Sequence, residues 1–304
     1  MLSSPKLGTF PNFGLLVYLT FFHRCFAVVH MKFPTLLFLP FFLSLTTAQA
    51  LSPKAPTTVH EQITYELEGT TFRGHLIYEE TGQRDEPLPG ILMVPNWMGP
   101  NTPMTLRKAR EVAGSDFAVF VVDMYGVDVR PSDASEAGEA AGFVRGDRAL
   151  MRARAAKAVE VFKDLNASHP VDADQMLGIG FCFGGGTLLE YARSGSEALD
   201  GIVSFHGDLA SPTLESDAGK IVTPLLLLQG ADDPYVPQAD VRAFVDAMQT
   251  AGVDDWTLVQ FSGTVHSFTD PTADSDGARY HQRSAERAFE MMEDFAEERL
   301  GLDR

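Results

Sequence analysis

The chain has 304 residues, with 41 Asp and Glu against 24 Lys and Arg and a formal net charge of −17. So acidic a surface repels phosphate backbones and anionic lipid headgroups, which argues against nucleic acid and anionic membrane as partners. The 8 histidines are scattered, with no His-x-x-x-His, Cys-x-x-Cys, Walker or G-x-G-x-x-G pattern, so neither a metal nor another cofactor is expected.

Residues 1–50 contain no Asp or Glu. Met31-Lys32 opens a run of Phe, Leu and Pro that ends in Ala48-Gln49-Ala50. A positive start, a short apolar core and Ala-x-Ala make up a secretory signal peptide, with translation expected to start at Met31, cleavage after Ala50, and residues 1–30 an upstream extension. The apolar run falls short of the roughly twenty residues a membrane span needs, and Pro34 and Pro40 interrupt it. No stable span is therefore expected in the mature chain, although residues 13–22 leave a two-segment anchor as the alternative. The expected product is periplasmic or secreted, monomeric, and a single domain over 51–304. Losing Lys6, Arg24 and Lys32 takes the charge from −17 to −20. Cys25 leaves with the leader, so Cys182 has no partner for an internal disulfide and is kept as a free thiol.

Residues 51–58 read as a polar, Pro-rich lead-in. Segments 61–67 and 72–78 alternate at period two around Gly69, as an edge hairpin does. After a charged loop at 81–86, the continuous apolar run 90–94 reads as a buried parallel strand. A loop at 96–101 and a helix over 105–113 follow, then a strand at 117–123. The stretch 134–165 has helical spacing, with a break suggested by Gly142 and Gly146. Strands are expected at 175–181, 201–205, 224–229 and 256–261, and helices at 184–194, 238–251 and 278–299. Strands alternating with helices mean βαβ units, and so an α/β fold with a mainly parallel sheet flanked by helices on both faces. Ligands in such sheets bind beyond the carboxyl ends of the strands.

Three of those ends carry chemistry. The strand at 175–181 runs into Gly180-Phe181-Cys182-Phe183-Gly184, the form of the nucleophile elbow G-x-S-x-G with sulfur in place of oxygen. The apex opens a helix, where free N–H groups and the positive dipole end favour a thiolate. By itself the pattern also fits a buried cysteine in a glycine-rich turn. Asp232 and Asp233 follow the strand at 224–229, and one of them is expected only to form the turn with Pro234. His266 follows the last strand. Nucleophile, acid and histidine in that order are what an α/β-hydrolase requires: the imidazole takes the thiol's proton, and the carboxylate fixes its tautomer. The developing oxyanion needs donors, for which the N–H of Phe183 and that of Trp97, in the loop after 90–94, are the candidates.

With these residues the chain resembles the dienelactone hydrolase family of α/β-hydrolases. The resemblance runs over residues 61–295 and rests on Gly180-Phe181-Cys182-Phe183-Gly184-Gly185, Gly230-x-x-Asp233-x-x-Val236-Pro237 and His266-x-Phe268. It implies hydrolysis of a small ester, lactone or thioester through an acyl-cysteine, with Cys182, Asp233 and His266 as the triad. By family register Asp233 is the acid, and Phe268 matches the aromatic two residues after the histidine. Arg130 is the candidate for the basic residue some members turn toward a substrate carboxylate, with surface solvation as the alternative. His206, just past a strand end, is a candidate pocket residue. One position departs from the family: well-known members carry Glu immediately before the oxyanion-hole residue, where this chain has Asn96. Asn accepts no proton, so activation would come from His266 directly, or the chain is a non-catalytic binding protein that keeps the fold.

Overall fold

The computed structural model describes residues 57–81 and 86–302. The expected leader, its cleavage point after Ala50 and most of the charged loop at 81–86 lie outside the described residues. The first two strands, β1 (Thr57–Leu67) and β2 (Thr70–Glu80), form an antiparallel hairpin. Glu68 and Gly69 both have positive φ at its turn, the twist that suits a two-residue hairpin loop. Pairing begins at Thr57 against Glu80, so the end of the expected lead-in is already strand.

The rest of the chain alternates as the sequence suggests. In order come β3 (Leu88–Val94), α1 (Pro103–Ala113), β4 (Ala118–Val121), α2 (Ala134–Gly146), α3 (Arg148–Asp164) and β5 (Val171–Phe181). Then follow α4 (Phe183–Ala192), β6 (Gly201–Phe205), α5 (Leu214–Asp217), β7 (Leu225–Gly230), α6 (Gln238–Ala251), β8 (Trp256–Phe261) and α7 (Gln282–Leu300). The sheet order is β1-β2-β4-β3-β5-β6-β7-β8, parallel from β4 to β8.

Period-two alternation splits each central strand between two cores. Leu92 and Val94 of β3 join a core with Phe162 of α3, Leu188 of α4 and Phe244 of α6. Ile91 and Met93 join the opposite one with Ala109 of α1 and Met292 of α7. Both faces of the sheet are thus covered, which is why its middle strands are apolar throughout. The chain leaves β3 toward β4 and returns to the other side of β3 with β5, so a crevice opens at the carboxyl ends of β3 and β5.

The break expected in 134–165 falls just after Gly146, and one helix start departs from the sequence reading; both have local causes. The stretch 134–165 is two helices meeting at Asp147, which ends α2 and caps α3 by accepting the Leu150 N–H at 3.0 Å. The last helix starts at Gln282 and not 278, because the preceding backbone is bonded to the loop that holds His266. His266 N–H donates to Gly277 O, Arg279 N–H to His266 O and His281 N–H to Phe268 O.

Candidate active site

Cys182 sits between β5 and α4 with φ 54° and ψ −116°, a region L side chains rarely occupy. The turn is made sharp by what crowds it. A Cβ on Gly180 would collide with the backbone of Gly184, and one on Gly184 with the carbonyls of Val94 and Pro95. The glycines therefore let the elbow press against the end of β3, and the Cys182 N–H is tied to Phe205 O at 3.0 Å. The thiol is free and half-buried. Among the described residues four non-glycine positions have positive φ, and Cys182, His206 and Ser267 lie at this end of the sheet. Such strain persists only where surrounding structure over-determines it, and it clusters at working sites.

His266 Nδ1–H donates to Asp233 Oδ2 at 2.7 Å, with both side chains buried. That leaves Nε2 for the Cys182 side chain, with which the ring is also hydrogen-bonded. Burial works against a charged imidazole, but the bonds to Asp233 and Cys182 outweigh it and raise the His266 pKa to about 10. The other Asp233 oxygen accepts the N–H groups of Tyr235 and Val236, so this carboxylate closes its own turn and orients the ring at once. Asp232 is exposed, and its backbone N–H donates to Thr264 O at 3.0 Å. Tyr235, which sequence reasoning passed over, stands edge-on to His266 with ring centroids 5.2 Å apart.

Asn96 and Trp97 follow β3 at the crevice. Asn96 Oδ1 accepts the Met98 N–H at 3.0 Å, so its side chain shapes the loop. Tyr125 Oη–H donates to Trp97 O at 2.8 Å, and its ring lies 5.6 Å from that of Phe183, which ties the loop to the start of α4. The Trp97 ring is exposed and borders Gly138 of α2.

Three sequence candidates sit elsewhere than the pocket surface. Arg130 is committed to the buried carboxylate of Asp123, with Nη1 at 3.1 Å and Nη2 at 2.7 Å, so it has no free fork for a substrate. Phe268 is fully buried against Phe261 and His206. His206 is buried behind His266, edge-on with centroids 4.7 Å apart, and its Nε2 is 3.2 Å from Thr269 Oγ1. Burial first, then the neighbouring His266 and Lys108, hold its pKa well below the ordinary value. Arg130 is taken up by a carboxylate seven residues before it, whereas the partners of His206 lie about sixty residues further along the chain, where no local pattern points to them.

The profile of the dienelactone hydrolase family matches residues 75–300, from β2 to the end of α7. The chain belongs to the dienelactone hydrolase family. Membership makes it a hydrolase acting on esters, with a small molecule as substrate. A dienelactone hydrolase-like promiscuous phosphotriesterase from metagenomic libraries is 33% identical, with a TM-score of 0.71 over 80% of this chain and 98% of its own. The structure named m3DLH is also 33% identical, with a TM-score of 0.71 over 80% of this chain and 99% of its own. An uncharacterized protein of Caenorhabditis elegans is 26% identical over 133 residues, which are 42% of this chain and 82% of that protein. Among the described residues of this family member, no group of three or more His, Cys, Asp or Glu side chains could hold a metal ion. Nor is any described helix long and apolar enough to cross a membrane.

Proposed function

We propose that this member is a secreted, monomeric cysteine hydrolase that opens an ester, lactone or thioester through an acyl-cysteine intermediate. The observation that carries the proposal is the His266 Nδ1–H to Asp233 Oδ2 bond of 2.7 Å, which leaves the opposite ring nitrogen to Cys182 at the elbow. A site that favours the imidazolium keeps the thiol's proton on His266, so no carboxylate is needed at position 96.

The thiolate of Cys182 attacks the substrate carbonyl carbon, forming the C–S bond as the carbonyl electrons move onto oxygen. The N–H groups of Phe183, at the start of α4, and of Trp97 receive that oxyanion. Collapse breaks the bond to the leaving alkoxide or thiolate, which takes the proton from His266 Nε2. Water then attacks the acyl-cysteine and gives a proton back to His266. A second collapse breaks the C–S bond, releases the acid and returns the thiolate–imidazolium pair.

The test is stoichiometric alkylation of Cys182 by iodoacetamide alongside hydrolysis of short p-nitrophenyl esters, lactones and thioesters. One similar protein is a phosphotriesterase, so a phosphotriester belongs in the same panel. Alkylation should abolish turnover, and Cys182→Ala should lower kcat by roughly three orders of magnitude or more. Full hydrolysis by Cys182→Ala would falsify the nucleophile assignment. Secretion is checked by the intact mass of the exported protein, which should begin at Leu51.

A further inference from the structure

Behind His266, on the side away from solvent, lies a chain of polar contacts that the hydrolytic steps above do not use. His206 stands edge-on to His266, ring centroids 4.7 Å apart. Its Nε2 is 3.2 Å from Thr269 Oγ1, and the Lys108 ammonium donates to that same oxygen at 3.3 Å. The Lys108 stem runs half-buried along α1, while the ammonium lies 3.9 Å over the ring of Phe181, the residue before Cys182. The contacts therefore start next to the nucleophile, pass beneath the sheet end, and finish against the imidazole that activates it.

We propose that His206, Thr269 and Lys108 form a positioning array that fixes the His266 ring from behind. The inference rests on the reading of Cys182, Asp233 and His266 as the triad. Three features support it. His206 is held at φ 42°, a strained conformation for a non-glycine residue, and its N–H is tied to Leu228 O at 2.8 Å, so its ring is placed by the backbone. Its Nδ1 is buried with no hydrogen-bond partner, a cost the fold would avoid if an apolar ring served equally well. A hydroxyl has one donor and two acceptor sites, so Thr269 can serve Lys108 and His206 together, and a methyl in its place could serve neither.

The charges around the array are consistent with this role. His266 faces Asp233, Cys182, His206 and Tyr235; His206 faces His266 and Lys108; Lys108 faces Asp270 and Glu111. A neutral His206 lets the neighbouring His266 carry its charge, and the Lys108 ammonium disfavours a second proton on His206. Burial lowers Lys108 itself to about 8, against the pull of Asp270 and Glu111. With Asn96 in place of an acid, the His266 ring is the group that takes the Cys182 proton, so its orientation matters to the transfer.

Thr269→Val keeps the volume and deletes the shared hydroxyl, whereas Thr269→Ser keeps the hydroxyl and loses a methyl. Two readings distinguish them: kcat and KM on a short p-nitrophenyl ester, and the rate of Cys182 alkylation by iodoacetamide against pH. Thr269→Val should lower kcat about tenfold with KM nearly unchanged and move the alkylation midpoint up by about one pH unit, with Thr269→Ser restoring both. A packing role alone predicts the reverse order, Val at least as good as Ser, with an unmoved pH profile. His206→Phe, which keeps a ring and loses the nitrogens, should match Thr269→Val, and the double variant should add nothing further. If Cys182→Ala still hydrolyses esters, the triad reading falls and the array with it. If Cys182→Ala is inactive while Thr269→Val and His206→Phe both keep the wild-type pH profile, only the array is refuted.

Discussion

Two of the buried clusters of ionisable side chains among the described residues differ in what they leave open. On the α3–α4 side, Glu190 is fully buried and accepts from Arg152 at 2.7 Å and Arg193 at 3.1 Å. Arg152 also reaches Asp217 at 2.7 Å, which accepts from Thr213 and Lys220 as well. Burial opposes the charge on Glu190, but Ser211, Arg193, Arg152 and Arg148 outweigh it and hold the carboxyl below its usual value. At the sheet end, Asp233 and His266 are matched as tightly, yet the far side of the imidazole is turned to a half-buried thiol on a strained backbone. Buried charge by itself marks neither stability nor function. In the first cluster the carboxylate acceptors are met by its own donors, whereas the second ends at a half-buried thiol.

Substitutions should separate the two. Asp233→Asn leaves the shape of the site but removes the acceptor for His266 Nδ1–H, and kcat should fall by roughly a thousandfold, against less than twofold for the exposed Asp232→Asn. Steady-state kinetics on any ester the protein turns over decides this, and equal losses would undo the assignment of the acid. Glu190→Ala leaves the buried Arg193 guanidinium without its carboxylate, and unfolding by urea should show a loss of about 3–5 kcal/mol, while the folded fraction retains its activity within about tenfold.

Stability against pH should divide between the clusters. The site favours charged His266, so its contribution is whole below 6.5 and drains as pH climbs toward about 10. Asp217 is held well below the carboxylate range, by Lys220 first and then by Thr213 and Arg152 against burial, so its contribution is whole above 3.8 and fades as pH falls. Denaturation midpoints across pH should therefore lose their alkaline slope in His266→Gln and part of their acid slope in Asp217→Asn. The smallest effect is expected at the elbow: Cys182→Gly should gain roughly 1 kcal/mol by relieving a positive φ, while ending hydrolysis. A loss of stability there would mean that the thiol contacts outweigh the strain.

The sequence by itself was enough for the strand order of the chemistry. Apolar runs of four to eight residues, glycines two either side of Cys182, and Asp233 and His266 each just past a strand are local patterns, set by side-chain period and turn sterics. Family membership was legible from the same motifs. Asp123 taking up Arg130, Gly277 and Arg279 pinning His266 and so delaying α7, and His206 and Phe268 withdrawing beneath the site became visible only in the folded chain. Lys108 and Thr269, 161 positions apart, show why. A hydrogen bond across such a separation is decided by which elements the sheet brings side by side, and no local pattern in either segment carries that information.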